Sequence, residues 1–356
     1  MRITRLRSLL TIICAVATIT AGTALLDVGA GAASAAPGLS AGRVLDLQAH
    51  RGGRGEHTEE SLAGFAAALR LGVSTLELDI VVSRDHQPLV WHDPKIQADK
   101  CADTKPARPG DPQFPYVGKL VHDLTLAQLE TLVCAKVLEK FPTAHPVAGN
   151  RIATLAEVFA LAGRLGARNV GFNIETKIEA EKRADSATPI EFVAVILNEL
   201  RSAQRVLHRK PNATIQSFDW RSLPLVKLAD PSIKTVALWD ETTWKPNSAW
   251  LGPVNYAAVH GDPIAGAKQV GASILSPGYS NPSGQTTSDR GFRLVADAPF
   301  IRRAHAAGLK VIPWTINDED VMTAQINAGA DGIITDYPTK LRALMAKRGM
   351  VLPRKY

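Results

Sequence analysis

Cysteine is scarce, a second long apolar run is missing, and neither sign of charge dominates. The 356-residue chain has only three Cys, which excludes the dense disulfide framework of a small secreted domain. His50 and His92 have no third His or Cys at the spacing of a zinc site, so zinc ligation is not expected. Past residue 36, no window offers the roughly 20 apolar residues that a membrane span needs. Lys plus Arg number 41 against 34 Asp plus Glu, a formal charge of +7. That mild excess suits an anionic substrate but forms no stripe for binding nucleic acid. What the chain does have is 46% hydrophobic residues, enough to bury a real core and to exclude disordered and collagen-like classes.

The one long apolar run is N-terminal. Arg2, Arg5 and Arg7 precede Leu9 to Leu26, and a small-residue stretch then reaches Ala33-Ser34-Ala35. This reads as an export signal over residues 1–35, cleaved before Ala36, so the mature protein is expected outside the cell. A retained membrane anchor fits less well, because small residues and Pro37 follow the run in place of a stop-transfer cluster. Thr11-Ile12-Ile13 before Cys14 does not suit lipidation. Cleavage removes three Arg and Asp27, leaving a charge of +5 on about 320 residues. It also leaves two cysteines, Cys101 and Cys134, which outside the cytosol most simply form a disulfide, the alternative being two free thiols.

From Val44 onward, short β-branched runs alternate with longer amphipathic stretches. Eight candidate strands emerge: Val44 to Ala49, Thr75 to Val82, Val170 to Glu175, Ala213 to Ser217, Lys234 to Leu238, Ala272 to Leu275, Lys310 to Thr315 and Gly332 to Thr335. Helical patterns lie between them, including Glu60 to Leu71, Ile190 to Leu207, Ala298 to Ala307 and Asp318 to Ala328. Eight such units predict an α/β fold, a closed (β/α)8 TIM barrel over residues 36–356. The rhythm breaks after the second strand, at about residues 93–151. That segment is rich in Pro, Asp, Gly and Lys, holds both mature cysteines and shows one helical pattern, Thr125 to Val133. It is expected to be an insertion folded over one end of the barrel. Trp239, Trp244, Trp250 and Tyr256 crowd a second irregular stretch, either as local packing or as an apolar wall for substrate.

Barrel chemistry gathers at the C-terminal strand ends. There the first strand offers His50 and Arg51, the second Glu77 and Asp79, an extended piece after it His92, and the third Glu175 and Lys177. Strand side chains alternate, so Glu77 and Asp79 share the inward face while Leu76, Leu78 and Ile80 face the helices. Three carboxylates in a small space repel unless protonated or neutralised by a cation. Oxygen-only ligands favour Ca²⁺ or Mg²⁺, and an extracellular setting favours Ca²⁺. Two histidines beside them suit proton transfer near neutral pH. Arg51 and Lys177 suit the oxygens of a phosphate. The set is equipped to cleave a phosphodiester.

These residues resemble the glycerophosphodiester phosphodiesterase family, relatives of phosphatidylinositol-specific phospholipase C barrels. The resemblance runs in order through His50-Arg51-Gly52, Glu59-Glu60-Ser61-Leu62 with Phe65, Glu77-Leu78-Asp79, His92-Asp93-Pro94 and Ile152-Ala153-Thr154-Leu155. It continues through Glu175-Thr176-Lys177, Gln216-Ser217-Phe218, Pro313-Trp314-Thr315-Ile316-Asn317 and Gly329 to Pro338. It implies a divalent metal on Glu77, Asp79 and Glu175, acid/base catalysis by His50 and His92, a phosphate held by Arg51 and Lys177, and Trp314 near the glycerol. It also implies hydrolysis of small glycerophosphodiesters to glycerol 3-phosphate and an alcohol. Related alternatives are a lysophospholipase D or phospholipase C-like enzyme, with transient membrane-surface contact, and a secreted binding protein without catalysis. The family's Pro-Glu-Asn-Thr helix start is Thr58-Glu59-Glu60-Ser61 here, preceded by an extra Gly53-Arg54-Gly55-Glu56-His57. Both departures lie near the mouth.

Overall fold

A computed structural model describes residues 41–356; the export signal and its cleavage site lie outside the described residues. The first half of the fold comprises β1 (Asp46–Ala49), α1 (Leu62–Leu71), β2 (Thr75–Val82), β3 (Pro88–Val90), α2 (Leu126–Leu129), β4 (Ala153–Thr154), α3 (Leu155–Arg164), β5 (Gly171–Thr176) and α4 (Pro189–Leu207). The second comprises β6 (Asn212–Ser217), α5 (Ser222–Ala229), β7 (Lys234–Trp239), α6 (Pro263–Gln269), β8 (Ile274–Pro277), α7 (Ala298–Ala306), β9 (Lys310–Val311), α8 (Glu319–Ala328), β10 (Gly332–Thr335) and α9 (Pro338–Lys347).

Eight strands form one parallel ladder in the order β10-β1-β2-β5-β6-β7-β8-β9. Its two ends meet through single backbone bonds rather than a continuous ladder. Asp331 N donates to Val311 O, Ile334 N to Pro313 O, and Ile316 N to Ile334 O. The result is the (β/α)8 barrel expected from the alternating pattern. Lys310 to Thr315 is counted as strand only over its first two residues, because Pro313 has no N–H to give the ladder. The chain nevertheless continues extended, with Ile312 N on Leu275 O and Trp314 N on Pro277 O.

Apolar residues on the outward face of the strands pack under the helices, and Phe65, Phe159, Phe172 and Phe192 are fully buried there. Each contributes about 1.5–3 kcal/mol by leaving water. Helix starts are set by side chains that satisfy orphan N–H groups. Ser61 caps α1, and Thr154 with Glu157 and Thr188 with Glu191 form capping boxes on α3 and α4.

Inside, the barrel is divided. Val236, Ile274, Ile312 and Ile334 fill the side of β7 to β10. Across from them runs a chain of amides: Gln48 Nε2 donates to Asp46 Oδ2, and Asn173 Nδ2 donates to both Gln48 Oε1 and Gln216 Oε1. Gln216 Nε2 completes it on Glu77 Oε1 at 2.6 Å. Buried amides satisfied this fully fix their neighbours in place.

The insertion begins and ends on the small antiparallel ladder β2-β3-β4. It carries its own core around Tyr116, Leu124, Leu129 and Trp91, and a Cys101–Cys134 disulfide. The helix expected over Thr125 to Val133 stops at Leu129, because Val133 is drawn out to pair with Ala102 beside the disulfide. The segment reaches back over the turn after β1. His145 N donates to Glu56 O, Thr58 N to His145 O, and Val147 N to the Thr58 hydroxyl.

Candidate active site

Beyond β1 the chain turns sharply at His50-Arg51-Gly52-Gly53. Gly52 and Gly53 take positive φ, and a Cβ at Gly52 would lie 3.0 Å from the Phe65 ring. Arg51 also sits at φ 50, an uncommon conformation for a side-chain-bearing residue. It is held there from both sides, since its N–H donates to Glu77 Oε2 at 2.9 Å and its carbonyl accepts from Glu60 N at 2.9 Å. Glu60, at the family's Asn position, takes φ 54, a region Asn enters more readily. Its Oε1 accepts from Asp79 N at 2.9 Å, so the departure in sequence still ties the turn to β2.

Glu77, Asp79 and Glu175 converge. One oxygen from each lies within 4.8 Å of the others, and all three side chains are buried. Burial raises Glu77 well above the usual carboxylate range, reinforced by Asp79 and Glu175. Burial likewise pushes Glu175 up to about 7, against the pull of Lys177. Asp79 behaves oppositely: burial would raise it, but Arg51 and Lys177 hold it below its ordinary value. Two cations serve three acids here. Lys177 Nζ lies 2.7 Å from Glu175 and 4.0 Å from Asp79, and Arg51 Nε is 2.9 Å from Asp79 Oδ2. That last pair is poorly aligned, so neither buried Asp79 oxygen receives a hydrogen bond. Buried acceptors without donors are costly. An all-oxygen cluster short of one positive charge fits a hard divalent cation.

His50 and His92 open onto the same cavity of about 430 Å³, with Glu77, Glu175, Lys177, Phe218 and Trp314 in its walls. His50 Nδ1 is 2.6 Å from Asp336 Oδ1, which fixes the ring with Nε2 toward the cavity, 3.9 Å from Glu77 Oε2. Burial pulls His50 down to about 4, only partly offset by Asp336. Burial also lowers His92 well below its ordinary value, helped by Lys177 and Arg51, and its Nδ1 lies 2.9 Å from Asp93 Oδ1. Burial thus favours the neutral form of both rings. Trp314 donates its Nε1 to Ser276 O and meets Phe218 edge-on at 5.2 Å.

All eight residues singled out for the site, His50, Arg51, Glu77, Asp79, His92, Glu175, Lys177 and Trp314, thus meet around one mouth. Asp336, Arg54 and Glu59 stood in the quoted motifs without a role assigned to them, and Lys100 was not anticipated at all. Asp336 Oδ1 accepts from His50 and from Arg54 Nε at 2.7 Å, while Oδ2 accepts from Asn317. Glu59 is held by Arg51, Arg54 and Lys100, and Lys100 also reaches Asp93. The register of β1 with β10, Ala49 opposite Thr335, was the signal that places Asp336 beside His50. The crowded aromatics are packing rather than a substrate wall for the most part. Trp244 is buried against Trp220 at 4.8 Å and against Tyr256 at 5.5 Å. Trp250 alone among the four approaches the mouth, 6.4 Å from Phe218.

The sequence pattern of the glycerophosphoryl diester phosphodiesterase family matches residues 50–340. The chain belongs to that family. A glycerophosphodiester phosphodiesterase of Caldanaerobacter subterraneus subsp. tengcongensis is 28% identical over 302 residues, 85% of this chain and 98% of that one. The human lysophospholipase D GDPD1 is 25% identical over 315 residues, 82% and 83% of the two chains. Among solved structures, one from Silicibacter pomeroyi DSS-3 has a TM-score of 0.69 at 24% identity, covering 88% of this chain and 95% of the other. A phosphodiesterase of Oleispira antarctica, solved with the product sn-glycerol-3-phosphate, has a TM-score of 0.58 at 22% identity and covers 84% and 96%. Membership makes this chain a phosphoric diester hydrolase, and the structural likenesses agree on its barrel.

Proposed function

We propose that the protein hydrolyses glycerophosphodiesters to sn-glycerol 3-phosphate and an alcohol in a reaction that depends on a divalent cation, with Ca²⁺ as the physiological ion. The observation that carries this reading is the triad of Glu77, Asp79 and Glu175, with two donor-less buried oxygens, on one cavity with His50 and His92. These three carboxylates would hold the ion, which when bound supplies positive charge to the phosphoryl oxygens and to the attacking hydroxyl.

His50, neutral and oriented by Asp336, accepts the proton of the glycerol 2-hydroxyl as the oxygen–phosphorus bond forms. Arg51 and Lys177 face the charge that grows on phosphorus-bound oxygens. The negative phosphodiester offsets the cations that depress His92, allowing that ring to carry the proton it gives to the departing alcohol. Water then opens the cyclic phosphate with the two roles exchanged. Trp314 and Phe218 give the glycerol an apolar wall.

The test is release by purified protein, with EDTA and metal add-back, of sn-glycerol 3-phosphate from a glycerophosphodiester and of the acylated glycerol 3-phosphate from a lysophospholipid. The lysophospholipase D relatives make the second substrate the relevant rival. Product from neither would overturn the reading. We also propose that the protein acts outside the cell. The N-terminal export pattern supports this, as does the Cys101–Cys134 disulfide, a bond rare in reducing compartments.

A further inference from the structure

Arg54 belongs to the stretch Gly53–His57 that departs from the family pattern, and it stands between two cavities. It lines the one containing His50 and His92, and also a second, narrow recess open to solvent whose far wall is the insertion. Arg54 lines both spaces, so a head group reaching past it from the catalytic cavity would enter the second one.

The second cavity offers two aromatic faces, Phe141 and Trp91. Such faces would ordinarily suit a quaternary ammonium group. Here both are already taken by cations of the chain. The Arg54 guanidinium lies 4.9 Å from the Phe141 ring centre, and Lys100 Nζ lies 5.1 Å from that of Trp91. Neither cation is free to withdraw, because Asp336 and Glu59 hold Arg54 while Glu59 and Asp93 hold Lys100. Glu59 is the one acid lining the cavity among the described residues, and it is occupied by those same partners. A third cation on the wall, Lys136, donates to the Ala98 carbonyl, and among the described residues no carboxylate pairs with it.

The geometry points to a head-group subsite that favours glycerophosphodiesters whose alcohol carries a second anionic group, such as another phosphate, over those ending in choline or ethanolamine. The inference rests on the hydrolytic function proposed above and concerns only which diester is preferred.

The experiment compares kcat/KM for bis(glycerophospho)glycerol, glycerophosphoglycerol and glycerophosphocholine in wild type and Lys136→Glu. One added attraction between partly exposed charges, together with one repulsion avoided, predicts a preference for the doubly anionic substrate over the choline ester of roughly 5- to 25-fold. Lys136→Glu is expected to shrink that preference at least about fivefold while leaving glycerophosphoglycerol within about twofold of wild type. An equal or reversed ranking in wild type, or a ranking untouched by Lys136→Glu, overturns the subsite. Failure to cleave any of the three overturns the hydrolytic reading itself and this inference with it.

Discussion

Replacing Asp336 with asparagine keeps the shape of the group behind His50 and removes its charge. In the wild type all the groups that face Asp336 are donors: His50 Nδ1 and Arg54 Nε on Oδ1, Asn317 Nδ2 on Oδ2. An amide must turn its NH₂ toward one side or the other, so one set of donors loses its acceptor in either orientation. Asn317 cannot readily flip to help, because its Oδ1 already accepts from Asp336 N and from Thr335 Oγ1. If the oxygen stays with Asn317, His50 faces an NH₂ and turns to the tautomer that protonates Nε2, the atom needed as base. If it stays with His50, the hydrogen bond survives without its charge. Charge-assisted hydrogen bonds contribute about 1.5–3 kcal/mol, so kcat is expected to fall roughly 10- to 150-fold. Steady-state release of sn-glycerol 3-phosphate measures this, with melting temperature as the check on folding. Turnover within a factor of about two of wild type, below what one such bond supplies, would refute the role given to Asp336 and weaken that of His50.

Further expectations follow from the same geometry. His92→Ala should lose about 10²- to 10⁴-fold in kcat while the melting temperature is retained, as expected for a proton donor whose ring is not core; kinetics and calorimetry on one preparation check both. Cys101→Ser with Cys134→Ser opens a loop of 33 residues' separation and should cost roughly 4 kcal/mol by the chain-entropy argument, read from denaturant titration. Glu191 at the start of α4 is held below its ordinary range by the Thr188 backbone and hydroxyl. Its charge therefore stabilises the fold above the unfolded carboxylate value of about 4.3 and stops doing so as pH falls through the lower folded value. The melting-temperature gap between wild type and Glu191→Gln should accordingly close between about pH 6 and about pH 3.

The barrel was legible because each strand is a short β-branched run between turn signals. β2 and β10 fall at the expected residues, Thr75–Val82 and Gly332–Thr335. Where the reading of local pattern fell short, a distant partner decided. Val133 pairs with Ala102 and ends the insertion helix early, and Pro313 withholds the N–H that would have lengthened β9. The carboxylates and imidazoles could be found from strand ends because period-two alternation puts Glu77 and Asp79 on one face. Arg54, Glu59 and Lys100 could not, because they form an ion-pair web between the turn after β1 and an insertion whose path no local pattern specifies. Asp336 lay between these cases: its motif was visible, and only closure of the barrel brings it to His50. Glu60 shows how a departure from a family pattern is absorbed, its longer side chain reaching Asp79 N from a strained backbone.

On the function proposed, the buried carboxylates hold a doubly charged ion opposite two histidines. Calorimetric titration of Ca²⁺, and separately Mg²⁺, into EDTA-stripped wild type and Asp79→Asn, run beside hydrolysis of a glycerophosphodiester, tests it most directly. Wild type is expected to bind the cation saturably and Asp79→Asn to lose that binding, with turnover absent after stripping and restored over the same cation concentrations that fill the site. Full turnover by the stripped protein, or equal cation affinity in the two proteins, would contradict it.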